Sequence, residues 1–168
     1  RRYGQKPTTI LITGLSGSGK TAIAAEVERR LFERGRAVYA IDGLSMRKGM
    51  CRDLGFSAAD RSENLRRSME VAKLFNDAGL ICIASMVAPE EGVRKRAREV
   101  VGADKFFLVY LSAPLEWCRK FDDTGLYREA DQGKTTNIPG IDFPYEPPAD
   151  ADLTPTSHEI SGPECAER

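Results

Sequence analysis

The sequence predicts a three-layer α/β domain, a parallel sheet with helices on both faces, and three observations predict it. Four short apolar runs alternate with amphipathic stretches along 168 residues. The runs are apolar throughout instead of alternating, as in strands buried on both faces. The stretches between them carry apolar residues at helical spacing and are long enough to cross from one strand to the next.

The first run is TTILIT, Thr8 to Thr13, which ends in glycines and is followed by KTAIAAEVERRLFERG, a helical pattern stopped by Gly35. AVYAI (37–41), GLICIAS (79–85) and FFLVYLS (106–112) read as the second, third and fourth strands. RSENLRRSMEVAKLFNDAG and EEGVRKRAREVVG read as the helices between them. From Phe121 to Pro148 the chain is rich in Gly, Pro and Asp, with Tyr127 and Tyr145 among charges. So long an irregular stretch in a compact domain points to a lid over a site, at about 121–140. The expected organisation is one domain over 1–148 and a polar tail or linker over 149–168.

Composition narrows the function. Lys plus Arg equals Asp plus Glu, 25 against 25, so total charge gives no reason to expect a nucleic acid or an acidic membrane surface as partner. No run is long enough for a membrane-spanning helix. Cys51, Cys82, Cys118 and Cys165 lack CxxC spacing and read as reduced structural thiols of a cytoplasmic protein, not as a zinc site or disulfide framework. His158, the only histidine, lies in the polar end and reads as non-catalytic. The start at Arg1 instead of Met reads as a domain cut from a longer protein.

The strongest chemical signal is GLSGSGKT, Gly14 to Thr21. It fits G-x-x-x-x-G-K-[ST] and sits between an apolar strand and a helix, as a phosphate loop requires, so the expected architecture is the P-loop NTPase fold. Gly14, Ser16, Gly17, Ser18, Gly19, Lys20 and Thr21 are the expected nucleotide-binding residues. Loop amides cradle phosphates, Lys20 reaches the β- and γ-phosphates, and the Thr21 hydroxyl can ligate magnesium. ATP and Mg²⁺ are the expected cofactors. No N-K-x-D segment reads a guanine base, and no D-E pair ends a strand as in motor-type ATPases. A small kinase fits better. Asp42, after the second strand in YAIDGLSMRKGM, is the expected catalytic and metal-associated carboxylate, with Lys20 the second catalytic group.

Beyond the loop, the chain carries DG followed by Arg47 and Gly49, DLGFS (53–57), RSENLRR (61–67), EVAKLF (70–75), GLY (125–127) and GIDFPYEPP (140–148). With these pieces it resembles the adenylylsulfate (APS) kinase family over almost its whole length. The resemblance implies transfer of phosphate from ATP to the 3′-hydroxyl of adenosine 5′-phosphosulfate in sulfate assimilation. It implies that Asp42, Arg47, Arg61 and Asn64 surround the substrate and that Phe56 stacks on its adenine, with Ile138 where an aromatic usually forms the other half of the sandwich. Two arginines can clamp a phosphosulfate through directed donors. A homodimer, and fusion to a sulfate-adenylylating part, complete the expectation. Without the resemblance, Arg61, Arg66 and Arg67 read as a solvated helix face and Phe56 as core.

The sequence departs from the family pattern at definite places. Leu44 and Ser45 replace the acid and amide of DGDN, Ala88 and Glu91 replace the serine and arginine of S-P-[FY]-R, and Thr124 replaces a lysine before GLY. Two further readings stay open at this level: a nucleotide-binding module with a structural or regulatory role, and a same-fold kinase for another hydroxyl-bearing nucleotide or sugar.

Overall fold

A computed structural model describes residues 3–168. β1 (Thr9–Thr13), β2 (Val38–Asp42), β3 (Ile81–Ser85) and β4 (Phe106–Tyr110) form one parallel sheet in the order β2-β3-β1-β4. The four strands lie where the apolar runs are. Side chains alternate through the sheet. Leu11, Cys82, Ala84, Phe106 and Leu108 face one side, against Leu65, Met69 and Ala72 of α3 (Ala58–Asp77) and Val93, Ala97 and Val101 of α4 (Glu91–Val101). Ile12, Ile83 and Val109 face the other, against Ile23 and Ala24 of α1 (Lys20–Glu33). The three expected layers are present. Burying both faces is what permits strands without polar alternation.

Helix starts follow local chemistry. Ser57 caps α3, its hydroxyl accepting from the Asp60 amide at 3.1 Å. Asp42 caps α2 (Gly43–Lys48), a short helix hidden from the sequence by its Gly and Ser. α1 opens at Gly19, φ +91°, with no side-chain cap, so its first amides are left for a ligand.

Two segments differ from expectation. The 121–140 segment contains α6 (Leu126–Asp131), following α5 (Leu115–Lys120). Tyr127 and Ile138 are buried with Cys118 in a small core of their own. Residues 149–168, expected as a polar tail or linker, pack against the domain. Their chain runs beside the edge strand β4, with the Tyr110 amide donating to Leu153 O at 2.9 Å and the Leu108 amide to Asp152 Oδ2 at 2.7 Å. It then ends in α7 (Gly162–Glu167), whose Cys165 is buried in the α1-side core beside Ile160. The segment's polarity hid this because only three side chains, Leu153, Ile160 and Cys165, enter that core. Much of its role is to satisfy backbone groups at the sheet edge.

The strand order places a topological switch beside β1: the chain leaves it once toward β2 and later returns to its other side as β4. Clefts form at such points, above the carboxyl ends of the strands.

Candidate functional site

A cleft of about 650 Å³ opens at the carboxyl ends of β1, β2 and β3. The phosphate loop forms one wall. A β-carbon at Gly14 (φ +154°) would stand 2.8 Å from Ser18 Oγ and 2.9 Å from Leu111 O, and one at Gly17 (φ +79°) would overlap the Cys118 carbonyl oxygen. Glycine is therefore required at both by space as well as by backbone. Ser16, Gly17, Gly19, Lys20 and Thr21 line the cleft. Gly14 and Ser18 do not: Gly14 packs on Leu111 and Ser18 is buried beneath the loop.

The loop is braced from behind. Tyr127 Oη donates to Ser16 O at 2.7 Å, and Ser157 Oγ donates to Ser18 O at 3.1 Å. Lys20 Nζ donates to Leu15 O at 2.7 Å, and burial brings its pKa down to about 8. At neutral pH the ammonium is still charged, poorly solvated and poised for an anion.

The opposite wall comes from β2, α2 and α3. Asp42, Leu44, Arg47, Phe56, Arg61 and Asn64 all line it, so the expected acceptor-side residues converge from separate segments, with Ile138 contributed by 121–140. Arg47 donates to the Leu54 and Gly55 carbonyls and lies 4.3 Å over the ring of Phe56. Phe56 is 55% exposed and so is not core. Arg61 donates to Asn137 O and stands 5.2 Å from the ring of Phe143, while its Nη1 is buried without a hydrogen-bond partner. Burial, and then the charge of Arg47, hold the Arg61 guanidinium below its ordinary pKa. The contrast with the same helix is direct: Arg66 and Arg67 pair with Glu63, Glu70 and Asp53 as a solvated face should. Arg47 and Arg61 have only carbonyls and rings. Asn64 is buried, and its Oδ1 likewise lacks a partner.

Asp42 is held closely. Its Oδ1 accepts from the Leu44 and Ser45 amides, both at 2.9 Å, and its Oδ2 accepts from Ser45 Oγ at 2.6 Å. A strand-end cap and a site carboxylate are here the same group. Leu44 beside it is 56% exposed. Ala88 lines the cleft at φ +41°, whereas Glu91 is paired with Lys95 at 2.5 Å and does not line it.

The oxygen donors at the site suit magnesium. Among the described residues no three His, Cys, Asp or Glu side chains group as a metal cage. Thr21 and Asp42 both line the cleft and offer the few hard oxygens that Mg²⁺ takes from protein when phosphates supply others. Several cleft residues were missed at the sequence level, Ser85, Trp117 and Phe121 among them. For Ser85 a signal existed, since it ends a strand next to the phosphate-loop strand. For Trp117 and Phe121, 4.4 Å apart on and just after a six-residue helix, there was none.

The family model for adenylylsulphate kinase matches residues 6–155. The chain is 51% identical over 166 residues to the bifunctional enzyme CysN/CysC of Rhodopirellula baltica, covering 99% of this chain and 26% of that one. It thus spans about a quarter of that relative's length. It is 47% identical to the adenylyl-sulfate kinase of Shewanella pealeana, over 90% of this chain and 74% of that one. The structure of the Mycobacterium tuberculosis APS kinase CysC in complex with AMPPNP and APS superposes with a TM-score of 0.90 at 43% identity, covering 96% of this chain and 94% of that one. A chain with this loop, this cleft and these relatives belongs to the adenylylsulphate kinase family.

Proposed function

We propose that this kinase domain transfers the γ-phosphate of ATP to the 3′-hydroxyl of adenosine 5′-phosphosulfate, giving PAPS. The observation that carries the reading is the Arg47–Arg61 pair: two half-buried cations without carboxylate partners, across one cleft from a phosphate loop. Such a pair awaits an anion with several oxygens, and the phosphosulfate group supplies one. Phe56 offers its aromatic face to the adenine, and Ile138, which lines the same cleft, offers an aliphatic surface in place of a second ring. Asn64 Oδ1 is free to accept from a substrate hydroxyl or amine.

In the transfer, Lys20 and the open amides of α1 hold and neutralise the phosphates. Asp42 orients the acceptor hydroxyl and can take its proton late, as suits the loose transition state of phosphoryl transfer. Thr21 and Asp42 would hold magnesium, which would supply positive charge to offset what develops on the leaving oxygen. A second carboxylate at position 44 is not needed for orientation, because the Asp42 side chain is already fixed by three hydrogen bonds. The lid over 121–140 is tied to the phosphate loop through Tyr127, so its position and the loop's are coupled.

The test is ATP consumption by the purified domain with magnesium, with and without APS, and the product identified by mass. PAPS formed at enzymatic rates supports the reading. Nucleotide binding without APS-dependent turnover would replace it with a binding module. We further propose a cytoplasmic homodimer that forms one part of a larger sulfate-activating polypeptide; the last part is supported by the bifunctional CysN/CysC relative, of which this chain covers 26%. Light scattering of the domain measures the first association.

A further inference from the structure

Five buried side-chain polar atoms lack a protein partner among the described residues: Ser18 Oγ, Arg61 Nη1, Asn64 Oδ1, Ser85 Oγ and Arg94 Nε. Ser18 and Arg94 lie outside the cleft, and Arg61 and Asn64 face it as acceptor-side groups. Ser85 also lines the cleft, is 3% exposed, and has been given no role. A buried hydroxyl without a partner costs stability, and proteins keep such groups where something other than the fold uses them.

Its place in the sheet says what that is. Ser85 is the last residue of β3, in register with Ile12 of the phosphate-loop strand on one side and with Asp42 of β2 on the other. An oxygen reached by Ser85 Oγ therefore lies between the loop that holds the β-phosphate and the carboxylate that orients the acceptor. That is the path of the transferred phosphoryl group. In many phosphate-loop enzymes an acid holding magnesium enters the site from a neighbouring strand. Here β3, the neighbour of β1, ends in a neutral serine, and the acid stands one strand further away, as Asp42.

We infer that the Ser85 hydroxyl is a ligand-binding donor for the γ-phosphoryl group of the bound triphosphate, through a phosphoryl oxygen or a water held by its metal. The inference rests on the proposed function only for a nucleoside triphosphate on the phosphate loop, not for the identity of the acceptor. It distinguishes ATP from ADP at the one position where they differ.

The experiment compares the full chain with Ser85→Ala, titrating AMPPNP and ADP, each with magnesium, by calorimetry or by the fluorescence of Trp117, the chain's single tryptophan, which lies in the same cleft. Loss of one charge-assisted hydrogen bond weakens AMPPNP by about tenfold and leaves ADP within about twofold. The ligand-free variant melts no lower than the parent, because an unsatisfied hydroxyl has been removed from a buried place. Repeating the AMPPNP titration without magnesium assigns the contact: a persisting loss places the hydroxyl on a phosphoryl oxygen, and a loss seen only with magnesium places it on the metal's water. Equal weakening of both nucleotides, unchanged binding of both, or a lowered melting point with unchanged selectivity would overturn the inference. A parent protein that binds AMPPNP and makes no PAPS overturns the proposed acceptor and leaves the Ser85 comparison intact.

Discussion

On the donor wall of the cleft the phosphate loop is held from behind by Tyr127, Ser157, Leu111 and the Cys118 backbone, all distant in sequence. On the acceptor wall Arg47 and Arg61 have no carboxylate, and Arg61 Nη1 and Asn64 Oδ1 have no partner at all. The first wall is braced without its ligand and offers preorganised amides. The second is complete only when an anion arrives. Preorganisation serves catalysis, because donors already in place need no rearrangement as charge moves. Unsatisfied cations serve selection, because an acceptor lacking the anion leaves them as they were.

The sharpest way to break the donor wall is Lys20→Ala, which removes the phosphate loop's cation. Turnover is expected to fall by about 10²–10³-fold, and triphosphate binding with it. The fold survives the change. A Lys whose folded pKa is lowered binds fewer protons than in the unfolded chain between about 8 and its ordinary value, so its charged form costs stability below pH 8 and the cost fades as pH rises through that window. The variant should therefore melt no lower than the parent at pH 7, and calorimetric unfolding against pH checks it. A bound triphosphate favours the charged amine, so the parent should take up a fraction of a proton on binding ATP at pH 8.5, and the variant none. Binding heats in two buffers of different ionisation enthalpy measure it.

Asp42→Asn tests where the two walls meet. Asn caps a helix about as well as Asp, so the Leu44 and Ser45 amides keep their acceptor while the charge is removed. Turnover should drop by about 10²-fold or more with melting nearly unchanged, read by PAPS formation beside thermal denaturation. Near-normal PAPS formation would reduce Asp42 to a cap and move the search to Asp122, which also lines the cleft.

The same division explains how much was legible in advance. The donor wall lies in eight consecutive residues whose spacing is itself the mechanism, so strand, loop and helix could be placed together. The acceptor wall draws on residues 42, 47, 56, 61, 64 and 138, and only the family resemblance joined them, because an arginine on a polar helix face looks the same whether it turns to water or into a cleft. The structure separates Arg61 from Arg66 and Arg67 by their partners. What braces the loop was not legible. Tyr127 and Ser157 act through backbone carbonyls of a distant segment, and no local pattern encodes such a contact. The packing of 149–168 was hidden for a related reason: a backbone carbonyl, which any sequence supplies, and the one Asp152 side chain satisfy edge amides.

A smaller effect, confined to the acceptor wall, comes from Arg47→Ala and Arg61→Ala. Each should weaken APS binding by about 10- to 100-fold while ATP affinity stays within about twofold, because neither touches the phosphate loop. Calorimetry with each ligand separates the two. Arg61→Ala also releases the Asn137 carbonyl, so it should raise hydrogen exchange across 135–143, which Arg47→Ala leaves alone. Loss of ATP binding instead of APS binding would place these cations on the wrong wall.

The smallest expected effect is at Leu44, where the family's second acid is missing. Leu44 is 56% exposed at the cleft edge, so Leu44→Asp buries no unpaired carboxylate, and stability should stay within about 0.5 kcal/mol. The new side chain would stand in the first turn of α2, near the helix N-terminus, where a negative charge is mildly favourable. Its influence on chemistry has two signs. A carboxylate there adds an oxygen for the metal's water shell, and it also adds a negative charge near Arg47, which an anionic acceptor must share. With Asp42 already fixed by its own cap and by Ser45, the first effect has little left to supply, so turnover should be unchanged or rise severalfold, with a modest increase in KM for APS. Steady-state kinetics at two magnesium concentrations resolve the terms. A gain in kcat that grows as magnesium falls assigns position 44 to metal handling, whereas a fall in kcat at unchanged KM would show that the acceptor wall of this chain has settled around an apolar residue that the reaction uses.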